Sequence, residues 1–82
     1  MATVPTTAEV ERAILDAIST YNVRAGEIVP LTGIQMRLDG LGIRADEFRA
    51  GLQSMVDKSQ VEITGKFIRL TDAGFSASVI SR

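Results

Sequence analysis

Between Val61 and Leu70 the chain alternates twice, as Val61-Glu62-Ile63 and as Phe67-Ile68-Arg69-Leu70, around Thr64-Gly65-Lys66. Two period-two runs with Gly at the centre read as a tight antiparallel hairpin. With Val61, Ile63, Ile68 and Leu70 facing inward, Phe67 is left pointing outward near the tip. Upstream, a turn at Gly42-Ile43 leads into Phe48, Leu52, Met55 and Val56 at i, i+4, i+7 and i+8, one face of a helix ending near Lys58. Downstream, Leu70-Thr71-Asp72-Ala73-Gly74 restarts a short helix, with Thr71 as its cap and Leu70 and Phe75 at staple positions. A turn, a helix, a short ribbon and a capped restart, all between Gly42 and Gly74, leave few ways to arrange the chain.

The first half supplies what the ribbon and its helix pack against. Thr6 and Glu9 have capping-box spacing, and Val10, Ile14, Ala17, Ile18 and Tyr21 then recur as one apolar stripe. Glu9, Glu11, Arg12 and Asp16 fall mostly on the opposite, wet side. This helix is expected to end near Tyr21, with Asn22 or Gly26 taking the left-handed conformation that follows. Glu27-Ile28-Val29 is a short β-prone run stopped by Pro30, suited to a lone edge strand. In the next segment Thr32 and Gln35 have capping-box spacing, Leu31 and Met36 sit at staple positions, and Ile34, Leu38 and Leu41 continue inward. That predicts a helix of about two turns, closed by the turn residues Asp39-Gly40-Leu41-Gly42. Gly51, inside the third helix, costs about 1 kcal/mol against Ala. It is either simply tolerated there or marks a close crossing of the second helix.

With 82 residues the chain makes one domain, and Met1–Pro5 reads as a short flexible tail. A chain this size buries only about 60–65% of its unfolded surface. Aromatics are few (Tyr21, Phe48, Phe67 and Phe75), so the core rests on Ile, Leu, Val, Met and Ala. Cysteine is absent, which excludes a disulfide framework and fits a reducing compartment. No apolar run approaches the ~20 residues of a membrane span, and no signal-peptide layout is present, so the expected location is cytoplasmic, away from membranes. With neither His nor Cys, there is no metal cluster of the usual spacing and no nucleophile–base pair, and no Gly loop follows a strand to cradle phosphate. No enzyme and no cofactor are expected.

Helix, short strand, helix, turn, helix and two-stranded wing is an order that resembles the winged helix–turn–helix of small bacterial transcriptional regulators. Gly42-Ile43, the Phe48/Leu52/Met55/Val56 stripe, the Val61–Leu70 hairpin and Leu70-Thr71-Asp72-Ala73-Gly74 carry the likeness. The Leu-Thr-x-x-Gly ending is similar to the wing exit of the MarR and PadR types. The resemblance implies a mostly helical α+β domain: a three-helix core, a short two-stranded wing and a short C-terminal helix. The chain departs from the pattern at Ser59, where such families place Gly, and at Lys58-Ser59-Gln60-Val61, which replaces their Gly-Leu-Ile step. Its wing is very short, and it has no long dimerisation helices.

The resemblance further implies double-stranded DNA as the partner, with the helix at about 44–58 in the major groove. On that reading Arg44, Ala45, Asp46, Arg49, Ala50 and Gln53 lie toward the bases, and Gln53 suits an adenine edge while Ala50 suits a thymine methyl. Arg44 and Arg49 lie on the flanks, Lys66 and Arg69 on the wing, and Arg37 over the backbone from the second helix. The DNA-binding set is therefore Arg37, Arg44, Arg49, Ala50, Gln53, Lys66 and Arg69. Against it stand Asp46 and Asp57, on the most outward line of the helix. Acids in a first turn are explained by the helix dipole, yet they still repel phosphate. From Gly42 to Gly74 five bases (Arg44, Arg49, Lys58, Lys66, Arg69) meet five acids (Asp46, Glu47, Asp57, Glu62, Asp72). With a net charge of −1, binding by a monomer should be weak and helped by a homodimer or a protein partner. The competing expectation is a protein-interaction module, using Phe67 and the last helix with Phe75, Val79 and Ile80.

Overall fold

The computed structural model describes residues 6–80, and side chains as far as Ser76. The expected tail at Met1–Pro5 and the side chains of Val79 and Ile80 lie outside the described residues. The order is α1 (Thr7–Ser19), β1 (Ile28–Pro30), α2 (Leu31–Gly40), α3 (Ala45–Asp57), β2 (Val61–Thr64), β3 (Phe67–Leu70) and α4 (Asp72–Ile80). It is an α+β arrangement of four helices with a three-stranded antiparallel sheet, strand order β1-β3-β2. None of the described helices is long and apolar enough to cross a membrane.

The capping box at Thr6 forms as its spacing predicts. The Glu9 amide donates to Thr6 Oγ1 at 3.2 Å, and the Thr6 amide donates to the Glu9 carboxylate at 2.8 Å. The bond from the Thr6 backbone, and after it the one involving its hydroxyl, holds the Glu9 carboxyl below its usual range. That contribution to stability is complete above the ordinary carboxylate pKa and is lost as pH falls through the lowered one. From this cap α1, which packs chiefly on α3, buries Val10, Ile14, Ala17 and Ile18, with Leu15 buried as well. Tyr21 lies beyond the helix end and is exposed, and both Asn22 and Gly26 take positive φ. Gly51 is where α3 meets α1: a Cβ there would run into Val10 Cγ1. The close crossing is with the first helix, not the second.

The second helix differs from its expected form. It begins at Leu31, one residue after the strand, so Thr32 lies inside the first turn and no side chain caps it. Pro30 holds the extended conformation of the cap position, and the Leu31 amide donates instead to the Lys66 carbonyl at 2.9 Å. Met36 is 74% exposed and closes no staple, and Leu41, expected inward, is 67% exposed. The reason is the helix end. Gly42 takes φ +84, its amide donates to Asp39, and the Ile43 amide donates to Leu38. This is a Schellman closure, which turns Leu41 out and puts Ile43 in the core beside Leu38.

The sheet carries the other half of the core. β1 is not a lone strand: Ile28, Val29 and Pro30 face Arg69, Ile68 and Phe67 of β3, and Pro30 takes an edge position, where a missing amide is tolerated. Val61 pairs with Leu70 and Ile63 with Ile68 on the inner face. Thr64 pairs with Phe67, so the loop is only Gly65-Lys66, with Gly65 at φ +60 as a II′ turn requires. Val61, Ile68 and Leu70 are buried, whereas Ile63 is 47% exposed. It sits on an edge strand near the tip, while its partner Ile68 is on the central strand under the helices.

The sheet is joined to α3 and α4 at one knot. α3 also ends in a Schellman closure: the Ser59 amide donates to Val56, the Gln60 amide to Met55, and Ser59 takes φ +60. The Gln60 carbonyl then accepts from the Thr71 amide at 3.1 Å, and Thr71 Oγ1 donates to the Ser59 carbonyl at 2.6 Å. The same hydroxyl accepts from the Gly74 amide at 3.1 Å, so Thr71 caps α4. A Cβ at Gly74 would collide with the Gln60 carbonyl oxygen and lie 2.8 Å from Leu70 Cδ1.

Two substitutions test this knot by urea or thermal unfolding. Gly74→Ala should destabilise by about 1–3 kcal/mol, the range for forcing atoms into a packed site. Ser59→Gly should stabilise by about 0.5–1 kcal/mol, because the αL penalty of a Cβ exceeds the extra chain entropy that Gly loses. At this size each kcal/mol is worth about 4–8 °C in Tm.

Candidate nucleic-acid interface

Phe48, Gly51, Leu52 and Met55 bury one side of α3, and Val56 packs at its margin. The opposite side, Ala45, Asp46, Arg49, Ala50, Gln53 and Asp57, is exposed. Of the expected residues, Arg49, Ala50 and Gln53 are therefore brought together on one uncovered helix face, and Arg44 stands exposed at its N-terminal end. Arg44 occupies the cap position, and its amide donates to the Glu47 carboxylate at 2.9 Å. Glu47 is thus drawn back onto the helix terminus, while Asp46 stays in solvent. Gln53 Nε2 donates to Asp57 Oδ1 at 3.1 Å along the outward line.

The remaining cations are distributed differently. Lys66 is exposed at the hairpin tip, which its carbonyl fastens to the start of α2. Arg69 lies on the outer face of the sheet, 4.0 Å from Glu62 on the neighbouring strand, with both side chains about half exposed. A pair of that kind contributes roughly 0–1 kcal/mol and leaves the guanidinium free to exchange partners. Arg37 lines a groove between α1 and α2 with Ala13, Asp16, Ala17, Thr20, Gly40 and Leu41. No residue of α3 lines that groove, so Arg37 stands apart from the α3 face.

One charged residue has a place its spacing alone did not suggest. Glu11, expected on the wet side of α1, is 8% exposed, and its Oε1 accepts from Lys58 Nζ at 3.0 Å. Its Oε2 is buried without a hydrogen-bond partner. Glu11 stands four residues before Leu15 and seven before Ile18, both buried, so the sequence did hold a signal for its inward placement. The pair joins α1 to the end of α3 and engages the Lys58 ammonium, although that side chain is still about half exposed. Among the described residues, no group of three or more His, Cys, Asp or Glu side chains is arranged to hold a metal ion.

Removing the ammonium while leaving the carboxylate should destabilise, but less than the 3–5 kcal/mol typical of a wholly buried pair, because Lys58 is half exposed. Lys58→Ala should cost about 1–2 kcal/mol by urea denaturation, and Glu11→Leu should be neutral or stabilising. A neutral Lys58→Ala would mean that the pair does not anchor α3.

No family model, no curated protein and no solved structure matches this chain.

Proposed function

We propose that the chain is a winged helix–turn–helix domain that binds double-stranded DNA as a small transcriptional regulator. On this reading α3 lies in the major groove and the β2–β3 hairpin is the wing. The observation that carries it is the uncovered face of α3, where Arg49, Ala50 and Gln53 share one exposed side, with Arg44 exposed at the helix cap. Supporting it are the tight turn from α2 to α3 and the hairpin that follows α3 and closes a β1-β3-β2 sheet. Arg44 and Arg49 suit the phosphates that flank the groove, and Lys66 suits a phosphate beside the wing. Ala50 and Gln53 suit base edges.

Affinity on this reading is low for one copy. The uncovered acids Asp46 and Asp57 subtract from the counterion release that dominates binding to DNA. About three phosphate contacts give a slope of roughly −2.7 in log affinity against log salt. Titration of fluorescent duplex fragments at several salt concentrations measures this directly. Lys66→Ala should weaken all sequences alike and lower the slope by about 1, while Gln53→Ala should alter sequence preference. Absence of binding at low salt, or binding indifferent to salt, would sink the proposal.

A second reading, a protein-interaction module, is favoured by the outer face of the sheet. There Ile28 and Phe67 are 47% and 44% exposed, and Pro30 lies beside Phe67 across the strands. If that face is the functional one, Phe67→Ala should abolish complex formation while leaving the fold and the DNA titration unchanged.

A further inference from the structure

We infer that Asp57 is a positioning residue that sets the amide of Gln53 to read adenine, at the expense of overall affinity for DNA. The inference rests on the DNA-binding reading of α3 and deepens it. A carboxylate has no proton to donate, so only the amino end of the Gln53 amide can face it. The 3.1 Å bond from Gln53 Nε2 to Asp57 Oδ1 therefore favours one way round for the amide. One N–H is used on Asp57. The second N–H and Oε1 remain for the groove, and Gln53 is exposed. This is the donor–acceptor pair that adenine matches, with N7 accepting and N6 donating. Guanine offers acceptors at both N7 and O6, so Oε1 held that way round would face another lone pair.

Among the described residues, the helix end and the neighbouring charges give little support to an acid at this position. Asp57 is the last residue of α3, where the helix dipole disfavours negative charge, and no basic residue stands in that last turn. Among the described residues it forms no ion pair, since the adjacent Lys58 is turned to Glu11. The i, i+4 amide–carboxylate pair contributes no more than the dipole opposes. Facing phosphate, the same charge weakens binding to every sequence. What remains is its effect on Gln53.

The experiment is selection from a randomised duplex library with the full chain, followed by titration of the selected duplex and of duplexes changed at the adenine. Wild type should prefer adenine at one position by about tenfold. Asp57→Ala should bring that preference within about threefold and raise affinity for unselected duplex severalfold. Asp57→Asn keeps an acceptor but removes the charge, so affinity should rise while part of the preference is retained. In a Gln53→Ala background, Asp57→Ala should leave base preference unchanged. Retention of the tenfold preference in Asp57→Ala, or an equal loss on all duplexes with a lowered Tm, would overturn the inference while DNA binding stood. No binding by wild type at low salt would overturn the reading of α3 and this inference with it.

Discussion

The carbonyl of Gln60 is the point on which the arrangement turns. It closes onto the Thr71 amide just after α3 has ended and just before α4 begins, and Gly74 lies against the same oxygen. Thr71 adds a hydroxyl that donates to Ser59 and accepts from Gly74. Four elements are thereby referred to one small group of backbone atoms: the end of α3, the start of β2, the end of β3 and the start of α4. Hydrophobic burial drives the chain together but has no direction. The angle at which the hairpin leaves α3 is set here, by hydrogen bonds whose geometry admits little variation.

Much of this was legible in the sequence, because the signals were local. The hairpin at Val61–Leu70, the stripe on α3, the Thr6 and Thr71 caps and the turn at Gly42 are all written within a few residues. The expectations that failed depended on partners distant along the chain. Thr32 had the spacing of a cap, but the Lys66 carbonyl had already taken the Leu31 amide. Leu41 continued a stripe until the Gly42 closure turned it out, and Ile63 alternated correctly while lying past the cover of the helices. Ser59 stood out because Gly was expected there, and its left-handed backbone gives the physical ground for that expectation.

The candidate site was legible as a face but not as a charge pattern. Periodicity assigned Asp46, Arg49, Ala50, Gln53 and Asp57 to the outside of α3, where they are found. It did not reveal which charges were engaged elsewhere. Lys58 is paired with a buried Glu11, Arg69 lies near Glu62, and Glu47 folds back on the Arg44 amide. A count of five bases against five acids therefore overstates how many of either meet a ligand on α3. Electrostatics of a surface this small depends on side-chain partners that composition does not report.

The bond from the Leu31 amide to the Lys66 carbonyl has a kinetic meaning as well. A helix whose first turn is held by its own side chain can nucleate early. One held by a distant hairpin cannot, and β1 likewise lacks a strand to pair with until β3 is in place. Helix nucleation and loop closure are both unfavourable until later contacts compensate them. The β1–α2 segment therefore depends on the hairpin for its final hydrogen bonds, whereas α1 carries its own capping box. The segment's long-range pairings tie the sheet and the second helix into one set of interdependent contacts.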